Sequence, residues 1–316
     1  MSRSHEEKGL AQGPAEWALL FTLVVLWGSA FVLIRISLDA FAPIAVTAGR
    51  LIVGAAVLVV ILLAARRPVP STGAAWRFFT AIAVLGNALP FFLISWGQQG
   101  VPSGMAGILM AMMPLVVLVL AHFLVPGERL TRRSVAGFLV GFSGVVVLTG
   151  PEALTAVAGG QARLWSQLAI LGGAVCYGVA AIIARRGPSF HPVVTGACVL
   201  SIASAIAVAA ALSAFVPSAG PGALMTGQLT PAAALALFCL GAFSTGLATV
   251  VFFNLVRRSG PTFISLINYL IPLWAVFLGA AALGERLPVR AFAALALILG
   301  GIVLARYRRS ASEEAS

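Results

Sequence analysis

Long stretches without charge constrain this chain more than any other feature. Residues 17–34, 78–127, 134–151 and 259–284 carry no Asp, Glu, Lys or Arg, and in 187–256 His191 is the one basic side chain. A spanning helix needs about 20 mostly apolar residues. A membrane barrel needs strands of about ten residues that alternate apolar and polar. The runs here are apolar on every face, so they read as helices. Lipid offers no water to the backbone, and a helix satisfies its amides within one segment. Hydrophobic residues make up 60% of the chain and charged residues 9%, against about 25% charged in a soluble domain.

Charges, Gly/Pro breaks and polar turns divide the runs into ten expected spans, near 17–35, 43–65, 76–97, 102–125, 132–150, 164–185, 192–216, 231–256, 260–283 and 288–306. The run 78–127 splits at WGQQGVPSG, and the run 187–256 splits at VPSAGPG and TGQLTP. The first run is longer than the apolar core of a signal peptide, and further spans follow it. With a cytoplasmic N-terminus, fifteen of the 20 Lys and Arg fall on the cytoplasmic side. Four (Arg35, Arg163, Arg286, Arg290) fall on the other, and Arg50 lies within a span. That bias orients a membrane protein. It assigns the net charge of +11 to topology facing anionic lipid rather than to nucleic acid. Both termini are then expected in the cytoplasm, with polar tails at 1–15 and 308–316.

The halves of the chain repeat. Pro114 is followed by LVVLVLAHFLVPGERL, and Pro272 by LWAVFLGAAALGERL. WGSAFVLIRISLDAFAP at 27–43 aligns loosely with YGVAAIIARRGPSFHP at 177–192. The expected fold class is therefore an all-α membrane protein, with ten transmembrane helices as two inverted-topology five-helix repeats at 16–150 and 151–307. Five is odd, so the second copy enters upside down, placing Glu128 and Glu285 on opposite sides. Inverted repeats typify secondary transporters, with the substrate held where the repeats meet. In each GERL, Gly is expected to close one helix. Glu is expected to favour the start of the next and to pair with the adjacent Arg. A gating role for Glu128 and Glu285 is the alternative.

Two five-helix units each ending P…GERL, with WGSAFVLIR in the first span and AGRL in the second, make the chain resemble the EamA-type drug/metabolite transporters over residues 17–306. The resemblance implies a bacterial inner-membrane permease, often an exporter of amino acids and related metabolites. It also implies a central cavity built by helices one to four and six to nine, with helices five and ten toward the outside. Uptake of a metabolite is the alternative direction.

Arg50 is the charged side chain well inside a span, at an insertion cost of about 2.5–3.5 kcal/mol. It either draws a substrate carboxylate or is structural, bonded to helix-end carbonyls or reaching outward from about two turns past Pro43. Further cavity candidates are Trp27, Asn87, Trp96, Gln98, Tyr177, Asn254, Asn268 and Tyr269. Each also has a plain reading as an interhelical hydrogen bond or interface residue. Pro90, Pro114 and Pro272 each free a backbone carbonyl inside the membrane, which a lined cavity tolerates. Amides and aromatic faces suit a small zwitterionic or neutral amphiphile as substrate.

GFLVGFSG at 137–144 is spaced for close helix approach, to a neighbour in this chain or in a second copy. No Asp or Glu lies deep in a span, which argues against a carboxylate proton relay and against cation selectivity. Cys176, Cys198 and Cys239 show no metal spacing, so no metal or cofactor is expected. No GxxxxGK[ST] loop is present, so ATP is not the driver. An intramembrane enzyme would need convergent catalytic groups, and the three histidines find no intramembrane acid. A channel or non-transporting scaffold is the remaining rival.

Overall fold

The computed structural model describes residues 13–125, 130–150, 160–215 and 224–306. Among these residues the chain forms ten helices and no strand. They are α1 (Pro14–Ser37), α2 (Pro43–Ala64), α3 (Gly73–Gly97), α4 (Ser103–Leu124), α5 (Arg132–Thr149), α6 (Gly160–Arg186), α7 (Pro192–Phe215), α8, α9 (Ile267–Leu283) and α10 (Val289–Arg306). Helix α8 is built of Pro231–Gly241, a wider π-type turn at Ala242–Leu247, and Ala248–Ile264. The first eight are long and apolar enough to cross a membrane, and α9 and α10 are shorter apolar helices.

The helix starts follow from local chemistry. Pro14, Pro43, Pro192 and Pro231 open their helices, where a missing N–H costs nothing and φ is already helical. Thr72, Thr131 and Thr230 accept the amides of Ala75, Ser134 and Ala233 and so cap α3, α5 and α8.

One boundary differs from the sequence reading. The turn expected between 256 and 260 is absent, and helix Ala248–Ile264 runs through it. The break comes later, at Ser265–Leu266, leaving α9 17 residues long. At about 1.5 Å per residue, α9 rises about 25 Å. Pairs of arginines stop a span only by preferring water. Arg257 and Arg258 are good helix formers, so the helix continues past them.

The helices pack in a pattern that survives exchange of the two halves. α1 lies against α8 and α9, and correspondingly α6 lies against α3 and α4. α2 packs on α7 and on the π turn of α8, while α7 packs on α3; α4 packs on α9. α5 and α10 pack chiefly on each other. GFLVGFSG meets a neighbour within this chain. A Cβ on Gly137 would lie 2.5 Å from the Gly301 carbonyl oxygen, and one on Gly144 would lie 2.8 Å from that of Ala294.

Both halves also carry a π-type segment in their third helix, at Val84–Ala88 and Ala242–Leu247. Each leaves a carbonyl that a side chain five residues on satisfies. Asn87 Nδ2 donates to Ile82 O at 3.3 Å, and Thr245 Oγ1 donates to Leu240 O at 3.0 Å. Pro90 lies two residues past the end of the first segment. Pro114 follows a break at Ala111–Met112, and Pro272 lies inside α9.

Candidate functional site

Arg50 lies in the second turn of α2, turned inward, and is 4% exposed. Its Nε and Nη2 donate to Thr245 Oγ1 at 3.2 and 3.1 Å. Its guanidinium carbon stands 3.6 Å from the centre of the Phe91 ring. The ring of Tyr177 meets Phe91 at 6.4 Å in an edge-on arrangement. One charged group thus ties α2, α3 and α8 together, with α6 at the margin. The π turn is what makes this possible, because it widens α8 at Thr245 and aims the hydroxyl at α2. Such turns recur at functional positions.

The energetics close without a counter-ion. A desolvated cation–π contact contributes about 2 kcal/mol and a hydrogen bond to a charged group about 1.5–3 kcal/mol. Together they offset the insertion cost of about 2.5–3.5 kcal/mol. No carboxylate among the described residues reaches Arg50. Glu16 pairs with Arg258 at 3.8 Å, and Asp39 with Arg35 at 3.1 Å. Glu285 holds backbone amides. Arg50 Nη1 makes no hydrogen bond among the described residues.

A second feature lies at the end of the bundle where α1 and α3 finish. A cavity of about 450 Å³ is lined by Arg35, Asp39, Gln98, Gln99, Leu283 and Glu285, among others. Gln98 is buried in its wall, with Nε2 donating to Phe31 O at 2.8 Å. A smaller cavity of about 50 Å³ at another place involves His191, Asn254 and Arg257.

The residues expected from sequence therefore divide. Arg50 and Tyr177 come together; Gln98 and Glu285 share the larger cavity. Asn87 and Asn268 bond to backbone carbonyls of their own segments, and exposed Asn254 bonds to Val250 O. Trp96 is exposed, on the outer surface of α3. Trp27 packs on Phe252 at 5.4 Å, and Tyr269 joins the largest apolar cluster. Glu128 lies outside the described residues.

Gly284 takes the left-handed conformation that closes α9, with φ +63°. Its neighbour Glu285 departs from expectation. Its carboxylate caps not the following helix but α4, in the other half of the chain. The first amides of α4, those of Ser103 and Gly104, have no acceptor in their own helix and lie within its reach.

Sequence reasoning missed Thr245 and Phe91. Thr245 follows Asn87 by the same 158 residues that separate Pro114 from Pro272. Laying the halves over each other at that offset would have singled it out.

The sequence model of the EamA-like transporter family matches this chain twice, over residues 16–150 and 164–307. The chain belongs to that family. This EamA-like protein is 30% identical to a probable terminal-alkyne amino-acid exporter of Streptantibioticus cattleyicolor, over 93% of this chain and 94% of the other. It is 25% identical to the inner membrane transporter YedA of Escherichia coli K12, over 90% and 88% of the two chains. It is 24% identical to the transporter YoaV of Bacillus subtilis, over 90% and 94%. A solved crystal structure with 25% sequence identity superposes with a TM-score of 0.63, covering 92% of this chain and 98% of that one. The EamA-like protein is thus a multi-pass membrane transporter and not an enzyme. Its substrate is a small molecule and its working environment the membrane.

Proposed function

We propose that this transporter exports amino acids or amino-acid-like metabolites across the bacterial inner membrane by alternating access, with both termini in the cytoplasm. All ten helices cross in this reading, so the second five-helix unit is inverted relative to the first. The rocking elements are the two units, 16–150 and 151–307. The exchange-symmetric packing and the paired π turns support it.

One observation carries the substrate class. Arg50 is a buried cation at the junction of the halves that has no carboxylate partner among the described residues and keeps Nη1 uncommitted. A substrate carboxylate is the partner that this cation can still take through Nη1. Phe91 and Tyr177 give the apolar and aromatic faces that a small zwitterionic or neutral amphiphile needs. The name of the Streptantibioticus relative, a probable terminal-alkyne amino-acid exporter, points the same way. The arginine-biased loops support the orientation.

The test is counterflow in liposomes holding the purified protein, over a panel of amino acids, with and without a pH gradient. Saturable exchange of one amino-acid class is expected. Arg50→Ala is expected to abolish it while leaving insertion intact, and Arg50→Lys not to restore it, because an ammonium lacks the planar fork. Full exchange by Arg50→Ala, or no exchange of any amino acid by the parent protein, refutes the assignment.

A further inference from the structure

Glu285 sits in the turn between α9 and α10, yet its carboxylate is committed to a helix of the other half. Oε1 accepts the Ser103 amide at 2.7 Å, and Oε2 accepts the Gly104 amide at 3.0 Å. These amides open α4 and have no acceptor within their own helix. The carboxylate therefore meets orphan donors and the positive helix end at once. Glycine makes the approach possible. A Cβ on Gly279 would lie 2.5 Å from Glu285 Oε2 and 2.8 Å from Ser103 Oγ. A Cβ on Gly104 would lie 3.2 Å from the Val276 Cα.

A second observation lies behind this contact. Among the described residues, Gln98 Oε1, Ser103 Oγ, Arg163 Nε and Gln167 Oε1 are buried without a hydrogen-bond partner. Gln167 Nε2 and Arg163 Nη2 donate to the Met105 sulfur, at 3.7 and 3.9 Å, and a thioether is a weak acceptor. Buried polar groups are almost always paired. The four belong to residues at the end of α3, the start of α4 and in α6, and a polar wall of this kind suits water. Gln98 and Glu285 both border the cavity of about 450 Å³ at the same end.

We propose that Glu285 is a gate residue of the transport cycle. Its carboxylate on the Ser103 and Gly104 amides latches the two halves shut. Its release opens the α3–α4–α6 seam, so that Gln98, Ser103, Arg163 and Gln167 become the hydrated wall of the route. The latch joins the first half to the second, so a rocking motion must break it. This inference rests on membership of the transporter family and not on what is carried. Its failure and that of the amino-acid assignment are therefore separable.

The test needs no substrate. Gln167→Cys is introduced into the full chain in liposomes of mixed orientation, and a membrane-impermeant maleimide is added. Labelled sites are resolved by peptide mass spectrometry, with native, buried Cys198 on α7 as the internal control. Glu285→Gln is expected to raise labelling at the Gln167→Cys position roughly tenfold, because two charge-assisted hydrogen bonds no longer hold the seam. Cys198 is expected to label no faster. An unchanged rate at the reporter, with only a lower melting temperature, makes Glu285 a passive cap and overturns the proposal. An equal rise at Cys198 is general loosening and also overturns it. Should Glu285→Gln fail to insert, Glu285→Asp keeps the charge but falls one methylene short. It must shift the reporter in the same direction, and an unchanged rate again overturns the latch.

Discussion

The pairing of Arg50 with Thr245 can be weighed by a double-mutant cycle. Thr245→Val keeps the shape of the side chain and removes the hydroxyl. That oxygen accepts from Arg50 Nε and Nη2 and donates to Leu240 O. Two scales compete for the magnitude. Neutral hydrogen bonds between membrane helices contribute on average about 0.6 kcal/mol, while hydrogen bonds to charged groups contribute about 1.5–3 kcal/mol. Both residues are 4% exposed and the donor is a cation, so the larger scale applies. The two N–H groups share one oxygen, so they count as about one bond.

Losing the partner for Leu240 O adds about 1 kcal/mol, but that part is the same whatever stands at position 50. The cycle runs Thr245→Val and Arg50→Met singly and together, measured by equilibrium unfolding of the purified protein in mixed micelles. The expected coupling is about 1.5–3 kcal/mol. Thr245→Ser keeps the hydroxyl and loses one methyl packed beside Gly54, so it is expected to cost only about 1 kcal/mol. A coupling at or below about 0.6 kcal/mol would mean that Arg50 leans on Phe91 alone, and the account of the site would fall.

Two further outcomes are expected. Gly137→Ala drives a methyl into the backbone of α10 at Gly301 and Ala305, and should lower stability by about 1–3 kcal/mol. A melting temperature in detergent equal to that of the parent would show that α5 and α10 do not approach so closely in solution. Single cysteines placed at positions 128 and 285 should label from opposite faces of oriented membrane vesicles. Labelling from the same face would remove the inverted repeat and the alternating-access reading with it.

Much of the fold is legible in the sequence because lipid simplifies the problem. A run free of charge and apolar on every face satisfies its backbone within a helix, and 78–97, 103–124, 192–215 and 231–256 are helical. The turns at WGQQGVPSG and TGQLTP follow from glycine, proline and capping threonine. The left-handed Gly284 was readable because GERL closes an apolar run, and glycine best fits that conformation. The end of α8 was not readable. Arg257 and Arg258 signal a membrane surface but do not break a helix.

The site was half legible. Arg50 announced itself, since one charge in an apolar span needs a reason, and Tyr177 followed as a polar aromatic. Trp96 and Asn254 were chosen by the same logic and lie elsewhere, because residue type does not tell which face of a helix turns inward.

The sequence alone determined that the chain crosses lipid as helices, that its halves correspond, and where most helices begin. These properties are local or one-dimensional: hydrophobic run length, charge placement, cap and turn chemistry, and periodic resemblance. The tertiary structure decided what touches what. Only packing could place Thr245 against Arg50, because a π turn shifts the register of α8 by part of a turn, and its cost depends on the partner it reaches. Only packing could carry Glu285 past its own helix to the amides of Ser103 and Gly104, which lie about 180 residues away in sequence and within 3.0 Å in space.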